Sequence, residues 1–85
     1  MKFSSSKIQS SSTLSNLASI HSGRLVQLIA INAGRSLQGR LMSMGLIRGS
    51  KIRMISNQGS GSLLVGLGEN RMTLGRGMAE KIIVK

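Results

Sequence analysis

The stretch Ser36-Leu37-Gln38-Gly39-Arg40-Leu41-Met42-Ser43-Met44-Gly45-Leu46-Ile47-Arg48-Gly49 decides the fold. Leu37, Leu41 and Met44 stand at i, i+4 and i+7, one face of a helix. Leu41 and Met44 read as core. Ser36 is placed to cap the start, and Gly45 to take the left-handed position past the end. Gly39 inside the helix costs about 1 kcal/mol against Ala. Met42 points away from the common face and packs against a neighbouring strand.

Around this helix the chain reads as strand. Leu25 to Ile31 is a buried run upstream. Downstream come Ile52, Met54 and Ile55, with Lys51 and Arg53 facing outward. Leu63–Leu67, Met72–Leu74 and Ile82–Val84 complete the set. These short runs are rich in Ile and Val, as strands prefer. Gly59-Ser60-Gly61 and Gly68-Glu69-Asn70 supply turns between them. Five strands with one helix inserted after the first predict a mainly β fold, a small bent antiparallel barrel of SH3-like or OB-like class. All eleven Gly lie between Gly23 and Gly77, where they are expected to form bulges and corners.

The N-terminal segment differs. Residues 1–12 are Ser-rich with no apolar period, which predicts a disordered arm before one domain at 13–85. Thr13 can cap a short helical turn in which Leu14 and Leu17 share a face. Lys2 is followed by no apolar run, so no leader is expected, and no stretch approaches a membrane span.

Composition excludes much chemistry. The 85 residues include no Cys, no Pro, one His, two Glu and one aromatic, Phe3. Thiolate metal sites, Cys nucleophiles and aspartyl dyads cannot be built. His21, Glu69 and Glu80 are too few for a closed transition-metal site. Both Glu read as surface carboxylates beside Arg and Lys, and the methionines as core filling. No enzyme activity, no metal site, no cofactor and no small-molecule substrate are expected. The loop Gly45-Leu46-Ile47-Arg48-Gly49-Ser50-Lys51 fails as a phosphate loop, because Walker A needs a four-residue gap and then Gly-Lys-Ser/Thr. It reads as a helix stop and a turn.

The net charge of +10 favours acidic partners. Residues 1–22 carry +2 and residues 23–85 carry +8, with no run of four cations. A nucleic-acid-binding barrel is the alternative this charge suggests, but base stacking wants aromatics, which the domain lacks. The charge reads better as steering toward an acidic protein or the inner membrane surface.

Gly23-Arg24-Leu25-Val26-Gln27-Leu28 and Arg40-Leu41-Met42-Ser43-Met44-Gly45-Leu46-Ile47-Arg48-Gly49 together resemble the FeoA family of small cytoplasmic proteins in bacterial ferrous iron uptake. Leu14-x-x-Leu17 and Met78-Ala79-x-x-Ile82-x-Val84 are similar to the family's ends. Arg48 stands where the family pattern has Pro. The resemblance implies an SH3-like barrel with a helical insertion. It also implies a cytoplasmic accessory role, at the inner face of the membrane, beside a ferrous iron transporter with a GTP-binding domain. A similar domain ends some metal-dependent repressors, so a metal-regulator domain is a further alternative. The partner surface expected is Arg40, Met42, Gly45, Leu46 and Arg48. Apolar strand edges would allow weak self-association.

Overall fold

The computed structural model describes residues 14–85. The expected Ser-rich arm at 1–12 and the cap at Thr13 lie outside the described residues. The elements are β1 (Ser15–Asn16), a 3-10 turn (Leu17–Ser19), β2 (Leu25–Ile31), α1 (Arg35–Ser43), β3 (Lys51–Ser56), β4 (Leu63–Leu67), β5 (Asn70–Leu74), α2 (Arg76–Ala79) and β6 (Ile82–Val84). The strands form one antiparallel sheet in the order β1-β6-β2-β3-β4-β5. It bends around a single core without closing, so β1 and β5 are its edges.

The five expected strands are present, each burying alternate residues. In β3, Ile52 and Met54 are buried while Lys51 and Arg53 are exposed. Val26 and Leu28 of β2, Leu63 and Val65 of β4, and Ile82 and Val84 of β6 face the same core. The alternation follows from the pleat, which sends successive side chains to opposite faces. From α1 comes Leu41, fully buried.

Two bends in the sheet are not where glycine was expected. The register shifts at Ile29 in β2 and at Ile55 in β3. Both bulges carry Ile, since a bulge need not use positive φ. The glycines serve turns instead. Gly68 has φ +60 and opens the two-residue β4–β5 hairpin, where a side chain would be strained.

At the N-terminal end the expected helical turn is smaller. Leu17 is buried but Leu14 is exposed. The chain between them is extended as β1, paired with Val84 and Ile83 of β6. Residues three apart along a strand face opposite sides, so the two Leu cannot share a face. The turn is capped by Asn16, whose Oδ1 accepts from Ser19 N–H at 3.1 Å.

Candidate functional site

α1 begins two residues earlier than a Ser36 cap would place it. Gly34 is the N-cap and makes no side-chain cap bond. The helix is tied to β2 by Gln38, whose Nε2 donates to Ala33 O at 2.7 Å and Ile31 O at 3.3 Å. Its C-terminus closes as the sequence predicts. Gly45 has φ +96 and its N–H donates to Met42 O at 3.0 Å. The next amide, Leu46 N–H, donates to Leu41 O at 3.0 Å. That pair of bonds is a Schellman closure, which also brings the two flanking apolar residues together.

The closure decides which way each residue of the turn faces. Leu46 is fully buried beside Leu41. It therefore belongs to the core and is unavailable to a partner, a correction to the expected surface. Met44 is the reverse case. It was expected in the core but is the C-cap, at φ −91 and ψ 0, and 42% exposed. The helical path ends at Ser43, so the i+7 position no longer lies under the helix. Met42 is 53% exposed and Ile47 48% exposed. Met42 and Met44 thus depart from the expected core filling, whereas Met54 is buried and Met72 and Met78 pack on the core.

Behind Gly45 the turn is rigid. Ser50 Oγ donates to Gly45 O at 3.1 Å and accepts from Ile47 N–H at 3.2 Å. Gly49 N–H donates to Leu28 O, and Leu28 N–H to Ser50 O, both at 2.8 Å. Arg48 Nε donates to Ile29 O at 3.2 Å. Ile29 is the bulge residue of β2, and a bulge leaves a backbone group unpaired in the ladder. Arg48, where the family pattern has Pro, satisfies it; a Pro could not.

Between α1, this turn and β2 runs an apolar groove of about 380 Å³, lined by Ile29, Ile31, Gln38, Met42, Ile47 and Arg48 among others. Of the expected surface residues, Met42, Arg48 and, from its buried position at the base, Leu46 line it, while Arg40 and Gly45 are exposed outside its lining. Ile29, Ile31, Gln38 and Ile47 were not anticipated. A signal for Ile47 was present: once Leu46 turns inward to complete the closure, its neighbour is directed outward. Three of the five exposed large apolar side chains among the described residues, Met42, Met44 and Ile47, cluster on this helix end and turn.

A second polar cluster fastens the other side of the fold. Asn57 Nδ2 donates to Ala18 O at 2.9 Å and Ile20 O at 2.8 Å. Its Oδ1 accepts from Gly59 N–H at 3.1 Å and Arg76 Nη2 at 2.6 Å. Arg76 also donates to Gly61 O at 3.1 Å and Ala18 O at 3.2 Å. The cluster joins the 3-10 turn, the β3–β4 loop and α2. Its bonds fasten these three segments to one another. Among the described residues no three His, Asp or Glu side chains gather as a metal site would require.

The FeoA domain pattern matches residues 15–85. A Methanocaldococcus jannaschii protein named as an Fe(2+) transport protein A is 38% identical over 69 residues, covering 81% of this chain and 83% of that protein. A crystal structure titled as an iron uptake regulatory protein (FeoA) superposes with a TM-score of 0.81 at 25% identity, covering 86% of this chain and 97% of that one. The Stenotrophomonas maltophilia FeoA complexed with zinc, described as a prokaryotic SH3 domain protein, superposes with a TM-score of 0.73 at 23% identity, over 82% of this chain and 88% of that one. The SH3-like fold is thereby shown.

Proposed function

Because the chain belongs to the FeoA family, a family of ferrous iron transport proteins, we propose that it is a cytoplasmic accessory protein that docks on the GTP-binding domain of a membrane ferrous iron transporter. The observation that carries this reading is the exposed apolar cluster of Met42, Met44 and Ile47 beside the groove. Monomeric proteins seldom leave contiguous apolar patches uncovered without a binding role. Met suits such a surface, being flexible enough to fit an irregular partner. Arg48 sets a cation at the groove's rim, fixed by its bond to Ile29 O. No helix among the described residues is long and apolar enough to cross a membrane. No catalytic step is assigned.

The test is a pull-down with the cytoplasmic GTP-binding part of the cognate transporter, beside iron uptake in a deletion strain. Association that Met42→Glu or Ile47→Glu abolishes, with an uptake defect those variants fail to complement, supports the proposal. No association and no uptake defect overturn it.

A further inference from the structure

A second groove, of about 690 Å³, lies on the outward face of the sheet and shares no lining residue with the first. Its walls follow from strand register. Arg53 of β3 pairs with Leu25 of β2 on one side and with Gly66 of β4 on the other, and Gly66 pairs with Arg71 of β5. Two arginines therefore stand two strand spacings apart, about 10 Å, with a residue that has no side chain between them. Lys51 adds a third cation two positions along β3, on the same outward side. Gly66 itself is buried, and its missing side chain leaves room for Ile55 to pack across it. A Cβ there would come within 3.3 Å of Ile55 Cδ1. Exposed Leu25 and half-buried Ile55 give the groove apolar borders, and Glu69 sits at its hairpin end.

Among the described residues, the head groups of Lys51, Arg53 and Arg71 donate no hydrogen bond to the protein. Of the groove's lining residues only Glu69 is acidic, one carboxylate against three cations. Residues 1–22 contain no Asp or Glu, and the only acids are Glu69 and Glu80. A second copy is no better source for the same reason.

We propose that this groove binds an extended acidic segment of a partner protein, one that intersperses aliphatic residues among its carboxylates. Carboxylates two residues apart on an extended chain are separated by about 7 Å. That spacing lets Arg53 and Arg71 each take one in a forked, charge-assisted bond. An aliphatic side chain two residues beyond the pair falls on the same face and meets Leu25 or Ile55. A nucleic acid fits less well. Among the described residues no aromatic ring lines this face to stack a base. The proposal does not rest on transporter docking through α1; either can fail alone.

The experiment is a fluorescence anisotropy titration of the full chain at near-physiological ionic strength. The probe is a short labelled peptide of Glu-Ser-Glu-Ser-Leu-Ser repeats, which puts Glu and Leu on one face of an extended chain, with Lys in place of Glu in the control. Binding of the acidic peptide alone is expected. The double variant Arg53→Gln, Arg71→Gln should weaken it at least about tenfold. Arg35→Gln, which removes an exposed cation outside the groove, should leave it unchanged. All three sites are on the surface, so folding is retained. Equal loss in Arg35→Gln would mean diffuse attraction and would overturn the proposal. Displacement of the peptide by a single-stranded oligonucleotide of equal charge would overturn it as well. So would binding to anionic phospholipid vesicles through Arg53 and Arg71 with no binding of the peptide.

Discussion

The backbone N–H of Leu46 donates to the carbonyl of Leu41 at 3.0 Å, and both side chains are completely buried. This one closure ends α1, commits Leu46 to the core and sends Ile47 outward. It separates residues that hold the fold from residues free to meet a partner, although they are adjacent in sequence.

That separation is measurable. Leu46→Ala should cost about 2–5 kcal/mol in stability, the usual loss on truncating a core Leu. Ile47→Glu, one residue on, should change stability by no more than about 0.5 kcal/mol, as exposed substitutions do. Denaturant titration gives both values. Under the docking proposal the binding assay reverses the order: folded Ile47→Glu loses the transporter, and folded Leu46→Ala retains it.

Gly45 is required for its backbone. Its φ of +96 is in the left-handed region, while a Cβ built there meets nothing within 4 Å. Gly45→Ala should therefore destabilise by about 1–2 kcal/mol, the cost of forcing an L side chain into that conformation. A thermal melt with no loss would contradict the closure.

Gly39 is the opposite case. It lies inside α1 with ordinary φ, and a Cβ there also meets nothing within 4 Å. Replacing it with Ala should stabilise the protein by about 1 kcal/mol, through helix propensity alone. Chemical denaturation of the two proteins side by side checks it; a destabilised Gly39→Ala would show that the position is packed against something.

Arg76 reaches three acceptors on two separate segments: Ala18 O in the 3-10 turn, and Gly61 O and Asn57 Oδ1 in the β3–β4 loop. Arg76→Ala should cost about 1–3 kcal/mol. Arg76→Lys should rescue little of that, because a single ammonium cannot span the directions a planar guanidinium reaches. Hydrogen exchange should show the loss first in the 3-10 turn and the β3–β4 loop.

Much of this protein is written locally. The Lys51–Ile55 stretch predicts its own strand, including which residues face out, because alternation depends only on the pleat. The α1 closure is legible too, since Gly45 after an apolar helical face has few other uses. Less visible were β1, which pairs through backbone groups and has no apolar pattern of its own, and the one-turn helix α2. The Asn57–Arg76 cluster spans residues far apart in the chain, so no window of sequence contains it, although Asn57 two residues before Gly59 was a turn signal.

By itself, then, the sequence determined five of the six strands, the helix and its stop, and the poverty of catalytic groups, all of which follow from period, glycine placement and composition. The tertiary structure decided which faces are free. Leu46 went inside, Met44 outside, and Arg53 and Arg71 came to flank Gly66. Those outcomes depend on strand register and on how a turn folds back, which are set by contacts between segments that local physics does not join.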